Sequence, residues 1–500
     1  MIRPRRIGIL AVLTMLAVTA HAEATSDSAP VQVEVVQTTI NLSQAMTRLA
    51  DVHFRSTKPP RNAVLIHVNP NVRYQSISGF GGALTDTSAY EIWDETNATA
   101  RNELMDDLFS HAGIHLNFIR VPMGATDFTH TETPYSYDDL PPGKTDPKLT
   151  HFSIAHDEAY ILPLLRQMLA IDPHVELLAN PWSPPGWMKA NDALNNIGQK
   201  GVLLNQDYGP LAKYFVKFIQ DYAAAGVPIG SITPQNEPMN PTIYPGMQLT
   251  EPDEARLIRY YLAPALAAAK LHVQIYGNDL GLSAGALGLS YGQALPRSQA
   301  APDLHGIAWH CYHGTPLGMT VEHNMFPRLN EIMDECSPGL TPSISETVIS
   351  SLRNWASAVV LFNLALDPQR GPVQPPNHGC PPCTGESTVY APSGNYSLNI
   401  NYYQLGQASH FIDSGAVRIG SDNDVSYNIA GKDPYIATPG LDDVAVANPN
   451  GSKVLVVYDN SRKPIHFGVE WQGRWCSYTV PAYATVTFEW DKPAQQARGQ

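Results

Sequence analysis

The sequence predicts an α/β protein in which a (β/α)8 barrel carries a side β-domain built from both ends of the chain. Short apolar or β-branched runs alternate with helix-like stretches through the middle of the sequence, which is the pattern of repeated βα units. Both ends instead carry strand patterns with few helical ones. The composition agrees with a large folded core, because 43% of the 500 residues are hydrophobic and only 16% are charged.

The first 22 residues are predicted to be an export signal. A basic start with three arginines precedes an apolar run over residues 7–20, and Ala20-His21-Ala22 is a small-x-small cleavage site. The run is shorter than the roughly 20 residues that span a bilayer. We therefore expect cleavage after Ala22, a periplasmic or extracellular location, and no transmembrane segment.

The charge balance excludes one class of partner. Lysine and arginine number 32 against 46 acidic residues, which gives a net charge of −14. An acidic surface repels phosphate backbones, so no nucleic acid partner is expected. The sequence does not indicate an oligomeric state.

Strand patterns mark the two ends of the chain. Residues 23–75 form an N-terminal segment with alternating stretches, and residues 416–490 form a second strand-rich segment followed by a tail over 491–500. The second segment includes a hairpin pattern over residues 444–458 around an Asn450-Gly451 turn. We expect the two segments to assemble into one β-domain.

Eight candidate strands between these segments define a barrel over residues 76–415. They are Ser76–Gly81, His115–Val121, Val175–Ala179, Gly230–Thr233, Val273–Tyr276, Gly306–His310, Pro342–Ser345 and Leu361–Ala365. Helical stretches between them include Ala155–Ile171, Pro210–Ala225 and Glu251–Ala269, the last with Thr250 as its N-cap. In such a barrel the chemistry lies at the C-terminal ends of the strands.

Two glutamates follow the fourth and seventh predicted strands. Glu237 lies in the segment Thr233-Pro234-Gln235-Asn236-Glu237-Pro238, and Glu346 lies in Ile344-Ser345-Glu346-Thr347. Carboxylates at the ends of two nearly opposite strands project into one cleft, which is the arrangement that glycoside hydrolysis needs. Because glutamate is common, this spacing alone does not establish the function.

A series of motifs resembles glycoside hydrolase family 30, the glucosylceramidase family. The motifs, in the family's order, are Gly79–Asp86, Ile119–Phe128, Tyr135–Asp139, Asn180–Lys189, Thr233–Pro238, Ala308–Tyr312, Ser345–Thr347 and Phe362–Asp367. The resemblance covers residues from about 79 to 420. It implies a (β/α)8 TIM barrel with a side β-sandwich built from both chain ends, and a retaining O-glycoside hydrolase that needs no cofactor.

The resemblance also implies the roles of the two glutamates. Glu237 would be the general acid/base and Glu346 the nucleophile. Since a general acid must start protonated, we expect the pKa of Glu237 to be raised. Retention of configuration predicts a separation of about 5–5.5 Å between the two carboxyl groups.

The same resemblance implies a set of substrate-binding residues. Asp127 would bind sugar hydroxyls, Trp182 would form an apolar wall for the sugar ring, and Asn236 could bind the 2-hydroxyl. Four further residues lie at strand ends near the expected cleft: Arg120, His310, Tyr312 and Phe362. For the first three, a buried role as partners of other polar groups is an equal alternative to a role at the substrate. A hydrogen bond from His310 or Tyr312 to Glu346 is the expected contact.

Two positions depart from the family pattern near the expected pocket. Phe362 and Cys311 stand where relatives of the animal glucosylceramidases carry tryptophan. One aromatic lost from a sugar site shifts binding by on the order of 1 kcal/mol, which weakens the transfer of substrate identity.

The function expected from the sequence is a secreted β-glucosidase of the glucosylceramidase kind. The alternative is an endo-β-1,6-glucanase or another β-glycanase of the family, with a β-glucoside, glycolipid or β-glucan as substrate. A catalytically inactive carbohydrate-binding protein is a further hypothesis, which the intact motifs around Glu237 and Glu346 disfavour.

The cysteines do not indicate a metal centre. Five cysteines are few for an exported chain of this length, and their odd number leaves at least one thiol unpaired. His378-x-Cys380-x-x-Cys383 resembles half a zinc site, but no second cluster lies nearby, so a loop disulfide or two free thiols is favoured. The spacing of His310 and His313 is equally weak evidence for a metal.

Overall fold

The computed structural model describes residues 30–61, 63–282, 288–340, 343–374, 382–390, 393–422 and 440–492. The predicted export signal and residues 493–500 of the predicted tail lie outside these ranges. Over the described residues, none of the helices combines the length and the hydropathy that crossing a bilayer demands. The two domains described below belong to one unit that begins at Val31.

The described residues form 21 strands and ten α-helices, numbered in chain order. The strands are β1 (Val31–Thr38), β2 (Thr47–Arg48), β3 (Val52–Phe54), β4 (Val64–Ser76), β5 (Gly79–Gly82), β6 (Phe118–Pro122), β7 (Glu176–Asn180), β8 (Ser231–Ile232), β9 (Gln274–Gly281), β10 (Gly306–His310), β11 (Asn330–Glu335), β12 (Ala356–Leu361), β13 (Ala365–Leu366), β14 (Ser387–Tyr390), β15 (Asn395–Leu398), β16 (Val417–Gly420), β17 (Leu441–Ala447), β18 (Lys453–Asp459), β19 (Ile465–Trp471), β20 (Arg474–Val480) and β21 (Thr485–Trp490). The helices are α1 (Asp86–Trp93), α2 (Ala98–Phe109), α3 (Ile161–Ile171), α4 (Tyr208–Ala224), α5 (Glu251–Leu257), α6 (Ala263–Ala268), α7 (Gly288–Ala294), α8 (Leu317–Met325), α9 (Ile344–Arg353) and α10 (Ile400–Ser409). A π-helical turn, Ile258–Leu262, joins α5 to α6, and Thr250 takes the N-cap position of α5 as predicted.

Eight parallel strands form the barrel. Their order is β5-β12-β11-β10-β9-β8-β7-β6. A parallel bridge between Ala83 and Arg120 closes the ring between β5 and β6, and the Leu84 N–H donates to the Arg120 carbonyl at 2.9 Å. The predicted (β/α)8 fold is therefore confirmed.

The seventh and eighth barrel strands differ from the prediction. The seventh is β11, whereas the chain from Ile344, which belongs to the segment predicted as strand seven, begins helix α9. The eighth is β12, which ends at Leu361, the residue where the predicted strand begins. The remaining six predicted strands overlap observed ones. The shift matters because it changes which glutamate follows the seventh strand.

The side domain is a β-sandwich that draws strands from both ends of the chain. Its strands run in the order β2-β1-β21-β18-β17-β16-β4-β19-β20, with β3 paired to β1. β1, near the start of the described chain, pairs antiparallel with β21, near its end. The predicted hairpin is β17 and β18, and Gly451 in its turn has a φ of +96°, which favours glycine. The expected assembly of the two ends into one domain is confirmed.

Glycine allows two barrel strands to approach each other closely at Gly81. A Cβ atom added there would lie 1.8 Å from the carbonyl oxygen of Phe118 in β6, a distance that real Cβ atoms do not reach. The backbone of one strand would have to move. Gly81 therefore fixes the spacing between β5 and β6 at the point where the barrel closes.

We expect Gly81→Ala to lower the free energy of unfolding by about 3 kcal/mol or more, at the upper end of what overpacking a core costs. The matched control is Gly230→Ala beside β8, where the nearest atom to the added Cβ would be 3.8 Å away. That change should alter stability by no more than about 1 kcal/mol. Urea unfolding followed by tryptophan fluorescence measures the stability of both variants. Equal midpoints for the two would contradict the inference that Gly81 fixes the spacing between β5 and β6.

Candidate active site

A cleft of about 430 Å³ opens at the C-terminal ends of the barrel strands, within the size range of small-molecule sites. Its lining residues come from the segments that follow the strands: Asp127, Phe128, Trp182, Asn236, Glu237, Asn240, Tyr244, Tyr312, His313, Glu335, Ser337, Leu340, Phe362 and Cys383. Three of them are carboxylates, namely Asp127, Glu237 and Glu335. The cleft therefore combines acidic groups with aromatic walls, as a sugar site requires.

Glu237 enters the cleft from the segment after β8. Its N–H donates to the carbonyl of Asp279 in β9 at 3.0 Å, and its Oε2 accepts a hydrogen bond from Asn240 Nδ2 at 2.6 Å. Its φ of +40° is unusual for a residue with a side chain, and such backbone strain is common at functional sites. The chain is thus held in a costly conformation that directs this carboxylate into the cleft.

Glu335, the last residue of β11, provides the second carboxylate. Its Oε1 accepts a hydrogen bond from the Tyr312 hydroxyl at 2.8 Å, and its Oε2 is paired with Arg120 Nη1. His310 Nδ1 lies 3.7 Å from Glu335 Oε1 and 3.4 Å from Glu237 Oε1, so these two oxygens are at most about 7.1 Å apart, the sum of the two distances. Two carboxylates therefore approach the same nitrogen of one imidazole.

The structure does not bring Glu346 to this cleft. Glu346 lies in the first turn of α9, is 3% exposed, and acts electrostatically on Tyr458 in β18 of the sandwich. The neighbouring Ser345 hydroxyl is 2.5 Å from the Thr485 hydroxyl in β21. The prediction that Glu346 ends a strand and faces Glu237 is wrong, because helix α9 presents this residue to the sandwich. Glu335 occupies the position that was predicted for Glu346.

Arg120 lies fully buried beneath the two carboxylates. Its Nη2 donates to Asp279 Oδ1 at 2.9 Å and to Asn236 Oδ1 at 2.8 Å, and its guanidinium stacks 4.8 Å from the Trp182 ring. Burial by itself would lower the pKa of Arg120, but the surrounding carboxylates outweigh it and raise that pKa. Arg120 therefore remains a permanent cation that organises the floor of the cleft.

Ligand atoms of Asp279, His310 and Asp334 lie within 4.8 Å of one another, a spacing that would suit a metal ion. Arg120 already supplies positive charge at this place, since its Nε lies 3.5 Å from Asp334 Oδ2. His310 Nε2 is in turn 2.7 Å from Asp279 Oδ1. The chain's own cationic groups, Arg120 and His310, therefore lie within this cluster.

The pKa shifts in the cleft differ from the expectation for Glu237. Burial would raise its pKa, but the imidazole of His310 and the Asn240 amide outweigh burial and lower it below its ordinary value. The predicted raised pKa is therefore wrong for the free protein. Burial opposes the charged form of His310, but Glu335 and Asp279 raise its pKa well above the usual range.

The pKa of Asp127 is shifted in the opposite direction to that of Glu237. Burial, followed by the charges of Glu335 and Glu237, raises the pKa of Asp127 to about 8. At neutral pH its carboxyl group is therefore mostly protonated and can donate a hydrogen bond as well as accept one. Such a group suits a sugar hydroxyl, which also does both.

The aromatic wall of the cleft is continuous despite the substitution at residue 362. The Phe362 ring stacks on Trp182 with centroids 5.8 Å apart, and meets Phe128 edge-on at 5.4 Å. Asn236 also lines the cleft, and since its oxygen accepts from Arg120, its N–H groups are left to serve a ligand. The structure thus brings together Asp127, Trp182, Asn236, Tyr312 and Phe362, all predicted for the substrate.

Arg120 and His310 have a different place from the predicted substrate contacts. Both are 0% exposed, and both lie behind the cleft as partners of Asp279 and Glu335. This is the alternative that the sequence had left open for them. Tyr312 and His310 approach Glu335 rather than Glu346.

Several residues of the site were not predicted from the sequence, among them Asp279, Glu335, Asn240 and Tyr244. A signal for Glu335 was present, because the segment Ser337-Pro338-Gly339, which begins two residues after it, is of the kind that ends strands. Asn240 lies three residues after Glu237 and carries no comparable signal. Asp279 lies within a strand that was predicted to end at Tyr276.

Two disulfides involve the described cysteines. One joins Cys311 to Cys336, a pairing that was not predicted. Cys383 is also disulfide-bonded, whereas His378 and Cys380 of the predicted motif lie outside the described residues. Cys476 is a buried free thiol, in agreement with the odd cysteine count.

Comparisons with known proteins identify the family. The model of the glycosyl hydrolase family 30 TIM-barrel domain matches residues 77–412, and the model of the family 30 beta sandwich domain matches residues 415–488. The chain is 32% identical over 444 residues to endo-1,6-beta-D-glucanase BGN16.3 of Trichoderma harzianum, covering 84% of each chain. It is 30% identical over 466 residues to the lysosomal acid glucosylceramidase of Mus musculus, covering 85% of this chain and 83% of that one.

A solved structure, the endo-beta1,6-glucanase BT3312, superposes with a TM-score of 0.79 at 27% identity over 92% of this chain and 100% of that one. Both domain models follow one another along a single chain that carries two neighbouring carboxylates, Glu237 and Glu335, at the strand ends of its barrel. The protein therefore belongs to glycoside hydrolase family 30 and is an O-glycoside hydrolase.

Proposed function

We propose that the protein is a retaining endo-β-1,6-glucanase in which Glu335 is the nucleophile and Glu237 the general acid/base. The observation that carries the mechanism is the placement of these two carboxylates beside the same nitrogen of His310. Their nearest measured oxygens are at most about 7.1 Å apart. That limit admits the separation of about 5–5.5 Å found in retaining enzymes and leaves out most of the range of roughly 6.5–9.5 Å found in inverting ones.

In the first step the Glu335 carboxylate attacks the anomeric carbon. A bond forms from a Glu335 oxygen to that carbon while the glycosidic bond breaks, and Glu237 gives its proton to the departing oxygen. Arg120 and Tyr312 contact the two oxygens of Glu335 and orient the nucleophile. Asn236 offers its N–H groups to the 2-hydroxyl of the same sugar.

In the second step Glu237, now ionised, takes a proton from water. The water oxygen bonds to the anomeric carbon, the ester to Glu335 breaks, and the sugar leaves with its original configuration. The His310 and Asn240 contacts that lower the pKa of Glu237 favour this ionised state. The same contacts make the protonated acid scarce at neutral pH, so we expect an acidic pH optimum.

The substrate assignment rests on the relatives. Both the Trichoderma relative and the solved structure are named as endo-β-1,6-glucanases, which favours the glucanase alternative over the glucosylceramidase expectation. Cys311 and Phe362 also depart from the tryptophans of the animal glucosylceramidase branch. Because the mouse relative is named as a glucosylceramidase, β-glucosylceramide is the second candidate substrate.

Export of the protein is supported by its cysteine chemistry. Disulfides persist in oxidising compartments and are rare in the cytosol. The Cys311–Cys336 bond and the bonded Cys383 agree with the predicted export signal. A periplasmic or extracellular glucanase is the proposal that follows.

Product analysis tests the substrate. The panel is β-1,6-glucan, an aryl β-glucoside, glucosylceramide and glucuronoxylan, with the anomer followed as products form. We expect short oligosaccharides in the β configuration from β-1,6-glucan. Free glucose from the aryl glucoside or the lipid, with β-1,6-glucan intact, would instead establish an exo-acting glucosidase, and inactivity on all four would support a binding protein.

Replacing each candidate nucleophile separates Glu335 from Glu346. Glu335→Gln should lower kcat on β-1,6-glucan by about 10⁴-fold or more, because the covalent step is lost. The matched control Glu346→Gln should hydrolyse the polymer at close to the parent rate per folded molecule, with circular dichroism as the check on folding. A large loss in Glu346→Gln together with an active Glu335→Gln would return the nucleophile to Glu346.

Removing the Asn240 amide should change the pH profile. Asn240→Ala deletes a donor to the Glu237 carboxylate, so the pKa of Glu237 should rise. We expect the profile of kcat/KM to move to higher pH by up to about one unit, which corresponds to about 1.4 kcal/mol. Asn102→Ala, on helix α2, is the control that should leave the profile in place. A profile that is unchanged or moves to lower pH in Asn240→Ala would show that this contact does not set the pKa of Glu237.

A further inference from the structure

We propose that the Cys311–Cys336 disulfide is a positioning element for catalysis, which fixes Glu335 and Tyr312 relative to one another. This inference rests on the proposed role of Glu335 as the nucleophile. It concerns a bond between two cysteines that are not among the residues lining the cleft.

The disulfide joins the first residues after two adjacent barrel strands. Cys311 follows His310, which ends β10, and Cys336 follows Glu335, which ends β11. The bond therefore ties the two strands together at their catalytic ends. Cys336 is 0% exposed, so this end of the pair is sealed within the protein.

Ordinary strand pairing is interrupted at this point. Trp309 pairs with Met333, but the next residue, His310, pairs with Glu335, so that Asp334 is left over as a bulge. A bulge disrupts the hydrogen-bond ladder locally and bends the strand. Beyond it the Cys311 N–H donates to the Glu335 carbonyl at 3.1 Å. The disulfide reinforces the pairing where the regular ladder has been broken.

Three groups beside the disulfide share hydrogen bonds in the cleft. The Tyr312 hydroxyl lies 2.8 Å from Glu335 Oε1 and 2.9 Å from Ser337 Oγ. Tyr312 is the residue after Cys311, and Glu335 and Ser337 flank Cys336. Because each group is one residue from a bonded cysteine, a shift of either strand end would separate the tyrosine from the carboxylate.

Such a shift would slow the chemical step. A misplacement of about 1 Å in a reacting group lowers rates by as much as about 10²-fold. Asp127 and Trp182, the proposed sugar-binding residues, follow other strands, β6 and β7. We therefore expect loss of the disulfide to lower kcat more than it raises KM.

The test uses an activated substrate that labels the nucleophile. The probe is the 2,4-dinitrophenyl 2-deoxy-2-fluoro glycoside of β-1,6-linked diglucose, from which dinitrophenolate leaves as the nucleophile oxygen bonds to the anomeric carbon. The labelled fraction counts competent sites, and the labelling rate constant reports attack at each site. A disulfide that only stabilised the fold would reduce the count and leave the rate constant unchanged.

In the full-length Cys311→Ala/Cys336→Ala protein, the labelling rate constant should fall between about tenfold and a hundredfold. The matched control is Cys476→Ala, which removes a thiol from the sandwich and should label at the parent rate. An unchanged rate constant in the double variant overturns the proposal. A peptide map of the labelled parent protein keeps the two hypotheses apart: a label away from Glu335, or no label, contradicts the proposed function instead.

Tyr312→Phe supplies a second, independent readout. If the disulfide acts by holding Tyr312 against Glu335, the loss caused by Tyr312→Phe should be smaller in the disulfide-free protein than in the parent. The two changes would then be non-additive, as expected for groups that act together. Full additivity in the labelling rate constant would overturn the positioning role even if the disulfide-free protein were slow.

Discussion

A single buried cation, Arg120, is the constraint on which the site depends. A charge removed from water is tolerated only when it is paired and hydrogen-bonded, and breaking such a pair costs several kcal/mol. The partners of Arg120 come from β9 and β11 and from the segment after β8, so the cation joins separate parts of the barrel. The backbone of the same residue makes the bridge that closes the ring between β5 and β6. Closure of the barrel and placement of Glu335 are therefore one structural requirement.

The charge pattern of the cleft follows from this cation and its neighbour Asp279. Asp279 keeps a pKa well below its usual value because, although burial opposes ionisation, Arg120 and His310 favour it more strongly. Ionised Asp279 in turn helps to keep His310 positively charged, and His310 lowers the pKa of Glu237. Asp127, which lacks a cation among these contacts, is instead raised by burial and by its acidic neighbours. Contact with the cations does not decide protonation alone, because burial and Asp279 raise the pKa of Asp334 although Arg120 and His310 lie close to it.

Sequence patterns were sufficient for most of the fold and for one side of the site. Apolar runs marked six barrel strands, and the motif around Glu237 identified the acid/base position. They failed at β11, because Glu331, Asp334 and Glu335 make that strand look polar, although all three are buried. Trp309 donates to Glu331, and Arg120 pairs with the other two. Such partners come from distant positions in the chain, so the sequence offers no local sign of them.

The motif around Glu346 misleads for the opposite reason, since its local sequence looks suitable for a catalytic glutamate. Ile344, Val348 and Leu352 recur every four residues and are all buried, which is the spacing of a helix and not of a strand end. A short motif with a glutamate between small polar residues is weaker evidence for a strand end than this helical periodicity is for a helix. Where motif and periodicity disagree, the periodicity follows from how side chains are packed, and it should decide the assignment.

The two departures from the family pattern have different structural consequences. At residue 362 one aromatic ring replaces another, and the stacking on Trp182 keeps the sugar wall continuous. At residue 311 an aromatic side chain is replaced by a cysteine that bonds to Cys336 across the strand ends. Arg120 holds one oxygen of Glu335 and Tyr312 holds the other, but both contacts need the backbone of β10 and β11 to stay in register past the bulge. A covalent bond between the strand ends constrains them more strictly than the packing of a tryptophan would. The departure at residue 311 therefore affects the catalytic step, whereas the departure at residue 362 affects sugar binding.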